Sequence, residues 1–270
     1  MYRKREIYCG KILEVEKYTS SHYKGKRTVR GPRMEKTTEA VAKVNERNAQ
    51  KKLSRIINTN FTENDYHLVL TYNFYQRATC PEEAKKDLAA FLLSMRKKYK
   101  KAGLEFKYVA VTEYGKKSMH HHLVINSGLD LAAVAASWSH GRIHTSNLDG
   151  SGDYDRLAAY LIKQTRKTFN DPERCVHRKR WCASHNLKRP IEKNTSVKAD
   201  SWREYPVAPK GYMVITDSIE SGVSEFTGWP YQYYRCIKID DKGRNNNAKP
   251  KTKRTRTKAP APEAGHSALR

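Results

Sequence analysis

The chain has 270 residues with 53 Lys+Arg against 28 Asp+Glu, a formal charge of +25, and 38% hydrophobic residues. That length buries a core, and that charge selects a polyanionic partner, nucleic acid first and an anionic membrane surface second. No run of about 18 apolar residues exists, which excludes a spanning helix. The opening MYRKREIYCGKILEVEK also lacks the apolar stretch of a signal peptide. The expected location is therefore the cytosol, with the five cysteines as reduced thiols.

Taken in chain order, residues 1–60 hold 16 Lys+Arg and 6 Asp+Glu and read as a basic arm followed by a helix. The arm is typified by HYKGKRTVRGPR. Between Glu39 and Ile57, Ala40, Val41, Val44, Ala49, Leu53 and Ile56 recur at three-to-four spacing among charges, the pattern of a surface helix.

Residues 61–170 read as the principal domain. Tyr66 to Tyr72 (YHLVLTY) is a β-branched and aromatic run, hence a strand. Thr79-Cys80-Pro81-Glu82-Glu83 opens a helix, with proline where no donor is missed and acids at the positive end of the dipole. Leu88, Phe91, Leu92 and Met95 form its buried stripe, and Arg96-Lys97-Lys98 its basic last turn. Phe106 to Glu113 is a second strand and residues 114–118 are a turn into a third, His120 to Ile125. A short helix over Leu129 to Trp138, a short strand over Arg142 to Thr145 and a helix over Asp153 to Thr168 complete the block. This order predicts an α+β fold with a central antiparallel sheet of about five strands flanked by helices.

Residues 171–241 read as a basic extension of the domain, with strands over Tyr212 to Ile215 and Tyr231 to Ile239. From Lys242 to Pro260 there are eight Lys+Arg and no acid, so residues 242–270 are expected to be a disordered basic tail.

The stretch SMHHHLVIN concentrates the chemistry. On a strand, His120 and His122 leave one face and His121 the other. Glu113 closes the preceding strand one short turn away, so a carboxylate and two same-face imidazoles can converge. That donor set suits a divalent ion such as Mg, Mn or Zn with positions open to substrate oxygens. On the last helix of the block, Tyr160 and Lys163 are three residues apart and share a face, while Ala158 and Ala159 permit close packing on a sheet. Taken alone, this helix is an amphipathic one with a buried tyrosine and a solvated lysine.

Taken together, the strand ending Leu68-Val69-Leu70-Thr71, then Glu113 with His120-His121-His122-Leu123-Val124-Ile125, then Tyr160-Leu161-Ile162-Lys163, resemble the ordered motifs of the HUH endonucleases. The closest flavour is that of rolling-circle replication initiators (Rep proteins) of filamentous phages and plasmids. The likeness spans about residues 60–170. One departure is His121, where the family carries an apolar residue. The resemblance implies an HUH fold of the RRM/ferredoxin-like kind and a metal site of His120, His122 and Glu113 holding Mg or Mn. It further implies Tyr160 as nucleophile and Lys163 as the group that orients the phosphate or the phenolate. The implied activity is metal-dependent nicking and joining of single-stranded DNA through a 5′-phosphotyrosine. Tyr154 lies about 240° around the helix from Tyr160, at 100° per residue, which favours a single-tyrosine mechanism.

The expected partners are single-stranded DNA or an origin hairpin, with a host helicase and polymerase, in a bacterial cytoplasm and without a membrane. Rival readings are a transposase or relaxase of a mobile element, and a non-catalytic nucleic-acid-binding protein. Arg166, Lys167, Arg178, Lys179, Arg180, Lys188 and Arg189 are the expected nucleic-acid contacts, and Trp138, Tyr154, Trp181 and Trp202 are candidates for base stacking. Cys175, His177, Cys182 and His185 offer four zinc-type donors, in a spacing that a basic loop with incidental histidines and cysteines explains equally well.

Overall fold

The computed structural model describes residues 2–19, 39–114, 119–165, 179–198, 202–223 and 228–239. The arm over residues 22–33, the 115–118 turn, the end of the helix expected to reach Thr168, and the tail from Lys242 lie outside them. Among the described residues there are two five-stranded antiparallel sheets and four helices, so the architecture is α+β. No described helix is long and apolar enough to cross a membrane.

The central sheet has the order β6-β3-β5-β4-β7, from β3 (Tyr66–Thr71), β4 (Tyr108–Tyr114), β5 (Met119–Ile125), β6 (Ile143–Asn147) and β7 (Cys182–Ala183). Its two faces carry separate cores. Leu68, Leu70, Ala110, Leu123 and Ile125 meet Leu88, Phe91, Leu92 and Met95 of α2 (Pro81–Lys101), with Val134 of α3 (Leu131–Ala135). On the opposite face, Val109, Val111 and Val124 meet Leu53 and Ile57 of α1 (Glu39–Asn60) and Ala158, Leu161 and Ile162 of α4 (Asp155–Gln164). Full burial of Leu161 and Ile162 contributes about 1.5–3 kcal/mol each to holding α4 against the sheet.

Local signals explain where α2 begins. Pro81 occupies its first turn, and the Glu83 carboxylate reaches back to accept from the Thr79 backbone N–H at 2.6 Å and the Thr79 hydroxyl at 2.9 Å.

The second sheet has the order β8-β1-β2-β10-β9. Residues expected to open a basic arm instead form a hairpin, β1 (Tyr2–Cys9) and β2 (Ile12–Thr19). Its two-residue turn needs Gly10, whose φ is 60° and whose missing Cβ would stand 2.1 Å from the Asn58 carbonyl oxygen. The sheet is completed by β8 (Ile191–Val197), β9 (Tyr212–Val223) and β10 (Pro230–Lys238), two of which coincide with expected strands. Helix α1 joins both sheets. Its Leu53 and Ile57 serve the central core, while Arg55 donates to Glu14 at 2.9 Å and to Glu16 at 2.7 Å on β2. Burial pushes the Glu14 carboxyl up, and the Arg55 guanidinium opposes that shift.

Candidate active site

Strand register puts the expected site residues on one face. Thr71, His120 and Glu113 form one cross-strand row, and Val69, His122 and Val111 the next. Directly opposed residues share a face, so His120, His122 and Glu113 all project toward the α1/α4 side. His122 Nε2 lies 3.7 Å from Glu113 Oε2.

Helix α4 delivers Tyr160 to the same place. The Tyr160 ring stands edge-on to His122, with centroids 5.5 Å apart and planes at 85°, while its side of the helix remains 43% exposed. The neighbours that seat it there are Leu161 and Ile162, buried in the core beneath. Lys163 is exposed in the last turn of α4.

Two members of the site escaped the sequence reading. His67 on β3 stacks on His122 at 5.7 Å between centroids and meets Tyr160 edge-on at 6.5 Å. Its signal was the alternation that puts His67, Val69 and Thr71 on one face. That signal gains meaning only when β3 is known to lie beside β5. Gln164, one turn beyond Tyr160, donates from its amide nitrogen to Glu113 Oε1 at 3.1 Å and Oε2 at 3.2 Å in the orientation that satisfies both ends of the amide. The i, i+4 spacing of Tyr160 and Gln164 places both over the sheet.

The electrostatics keep the imidazoles neutral. Burial, followed by the neighbouring His67 and His120, pushes His122 down to about 4, and burial holds His67 below its usual value. His122 Nδ1 and His67 Nε2 are buried without a hydrogen-bond partner. An orphaned nitrogen on a neutral imidazole costs stability unless something occupies it, and neutral nitrogen is the form that ligates metals. These donors, with the Glu113 carboxylate, therefore fit a divalent ion in type. Among the described residues no three His, Cys, Asp or Glu side chains are grouped closely enough to hold an ion. His122 and Glu113 are adjacent, and His120 stands opposite Glu113 in the row beside them.

His121 does the opposite job on the α2 face. It is fully buried, and its Nε2 lies 3.1 Å from the Tyr72 hydroxyl and its Nδ1 2.9 Å from the Thr112 hydroxyl. Tyr72 donates its single hydroxyl hydrogen to Asp87 Oδ2 at 3.0 Å. The proton of His121 therefore resides on Nε2, and Nδ1 accepts from Thr112. Burial, then His122 and His120, pushes this ring down to about 3.

Of the expected nucleic-acid contacts, Arg166, Lys167 and Arg178 lie outside the described residues, as do Cys175 and His177 of the zinc-type cluster. Lys179, Lys188 and Arg189 are exposed, and Arg180 donates to the Thr165 hydroxyl at 3.4 Å, just beyond the end of α4. Their loop is stitched to the fold, because Asn60 accepts from Lys188 N at 2.7 Å and donates to its carbonyl at 2.9 Å. Two stacking candidates are corrected. Trp138 and Tyr154 are buried core residues, since Trp138 fills the α2 face and Tyr154 the α4 face. Trp181 also packs partly against the α4-face core, and Trp202 stands edge-on to Tyr2 on the second sheet.

A basic α+β protein with an exposed tyrosine set over an imidazole and carboxylate face is built for chemistry on a phosphate backbone. Residues 65–169 match the family model for the replication-associated proteins of the ORF2 and gene II protein type. This central block, less than half of the chain, carries that family's domain, and it contains every residue of the site just described. No curated protein and no solved structure matches the chain.

Proposed function

We propose that the chain is a replication initiator of the rolling-circle type, which nicks single-stranded DNA with Tyr160 and later rejoins it. The observation that carries this reading is the Tyr160 ring at 5.5 Å from His122, on the sheet face that also presents Glu113 and His120. A tyrosine on the far side of the sheet could not share a phosphate with those groups.

In this reading, His120, His122 and Glu113 hold a divalent ion, Mg or Mn, which when bound polarises a phosphate oxygen and neutralises charge in the transition state. The chain's own groups do the rest. The Tyr160 oxygen bonds to phosphorus as the bond from phosphorus to the 3′ oxygen breaks. The phenol loses its proton and the 3′ oxygen gains one, leaving a free 3′ hydroxyl and a 5′-phosphotyrosine ester. Because the ester keeps the energy of the broken bond, a later 3′ hydroxyl reverses the transfer and seals a strand. Gln164 fixes the Glu113 carboxylate, and Lys163, one helical step from Tyr160, supplies a cation beside the phosphate. The +25 charge makes binding electrostatic and salt-dependent. A host helicase and polymerase, in a bacterial cytoplasm, would extend the freed 3′ end.

The test is incubation of the full chain with single-stranded DNA pools and Mn or Mg, followed by a denaturing gel for protein-linked strands. The wild type forms a linked band and Tyr160→Phe forms none while still binding DNA. Cleavage that survives Tyr160→Phe overturns the assignment. A chain that binds DNA but never nicks it in either form is a non-catalytic binding protein.

A further inference from the structure

Two aromatic rings stand in solvent immediately beyond the end of β3. Phe74 is 73% exposed and Tyr75 94% exposed, on the short 3-10 turn Phe74–Gln76. Lone exposed aromatics are common, but this pair is presented by a turn that is fixed at both ends. Asn73 Oδ1 accepts from Gln76 N at 2.9 Å, Asn73 Nδ2 donates to Gln76 Oε1 at 2.7 Å, and Asn73 N donates to the His140 carbonyl at 2.8 Å. Thr71, just before it, is tied through its N–H and its hydroxyl to the Arg142 carbonyl at 2.9 and 3.0 Å. Gly141 makes this join possible, because a Cβ there would stand 2.1 Å from the Thr71 carbonyl oxygen.

The position matters as much as the exposure. Thr71 is in the cross-strand row with His120 and Glu113, and Phe74 is three residues further on, within about 10 Å of extended chain. The two rings meet edge-on at 5.4 Å, and the Arg77 guanidinium sits 5.3 Å from the Phe74 ring centre. An apolar pair held out in water, beside a cation and next to a face with polyanion chemistry, has the composition of a site for an unpaired base. The core rings considered for stacking from sequence, Trp138 and Tyr154, are committed to packing and cannot take this role.

We infer that Phe74 and Tyr75 form a base-stacking platform that receives an unpaired nucleobase of the DNA strand, next to the phosphate presented to Tyr160. The platform holds the strand in register by stacking, without reading a particular base, since every base has a π face. This inference rests on the reading of the imidazole face as a DNA-strand site. It is tested by equilibrium binding in the presence of a chelator, where no metal-dependent nicking contributes, so it can fail while the Tyr160 assignment stands, and the reverse.

The probe is a fluorescein-labelled oligothymidylate titrated with the full chain at several salt concentrations, with an abasic phosphodiester strand of equal length beside it. Phe74→Ala with Tyr75→Ala should weaken oligothymidylate binding by about tenfold, with an unchanged slope of affinity against salt because no phosphate contact is lost. The wild type should bind the abasic strand as weakly as the double variant does, and the double variant should lose nothing more on it. Phe74→Leu with Tyr75→Leu should bind like the alanine pair, since the apolar surface remains but the ring faces do not. Unchanged affinity in the alanine pair, an equal loss on the abasic strand, or full retention in the leucine pair would each overturn the platform. The last of these outcomes would assign the pair to an apolar protein contact instead.

Discussion

His121 and His122 are chain neighbours that leave opposite faces of β5, and the two faces treat them differently. On the α2 face both nitrogens of His121 are bonded, to Tyr72 and Thr112, and the hydrogen count leaves one tautomer. On the α4 face His122 is almost as buried, at 4% exposure, yet its Nδ1 has no partner and its Nε2 only approaches Glu113. Burial alone therefore does not distinguish a structural histidine from one open to a ligand. The satisfaction of its nitrogens does, because a fully bonded imidazole has nothing left to offer, whereas an orphaned one bears an unrecovered desolvation cost.

Single replacements should separate the two roles most strongly. His121→Ala opens a cavity and strands the hydroxyls of Tyr72 and Thr112, so unfolding in urea should show a loss of about 2–4 kcal/mol. His122→Ala removes an unsatisfied nitrogen together with its packing, so its stability loss should be distinctly smaller, while the DNA-linked band disappears. Equal losses of stability would abolish the contrast.

Acid sharpens it further. The folded protein keeps His121 neutral down to about 3, whereas an imidazole in the unfolded chain takes a proton near 6.5. Between those values the unfolded state binds the extra proton, so the contribution is complete above the unfolded value and is lost as pH falls. From pH 6.5 to about pH 5 the wild type should lose about 1–2 kcal/mol more than His121→Asn does. Parallel urea midpoints for the two proteins across that range would show that His121 is not held neutral.

The smallest effect is expected at Gln164. Gln164→Leu keeps the helix and removes the donors that steady Glu113. Stability should change by less than about 1 kcal/mol, while the Mn concentration giving half-maximal strand linkage should rise by up to about tenfold. An unchanged metal requirement would make Gln164 a surface residue of α4 and nothing more.

What the sequence disclosed follows from which signals are local. Pro81 with Glu82 and Glu83, the apolar run of β3 and the alternation through His120 to His122 are written in neighbouring residues, so α2, β3 and β5 were legible. The hairpin Tyr2–Thr19 was not. Its buried Ile7, Ile12, Leu13 and Val15 are diluted by charges that are neutralised only across the fold, as Arg5 is by Glu16 and Glu192. β8 has no apolar alternation at all and exists through its pairing with β1. In the site, Glu113, His120, His122 and Tyr160 were visible as motif residues. His67 and Gln164 were not, because their part depends on which strand adjoins β5 and how α4 is rotated. Trp138 and Tyr154 failed as surface candidates because composition does not say which aromatics fill a core.

The way α1 is shared between the two sheets bears on how the molecule can be cut. The strands of the second sheet come from both sides of the stretch with family likeness, and that helix precedes the stretch while supplying half the wall behind the tyrosine. A fragment trimmed to residues 65–169 would lose Leu53 and Ile57 from beneath α4. Its nucleophile would ride on a helix propped from one side only, so excision at the boundaries of the likeness would discard part of the scaffold that aims it.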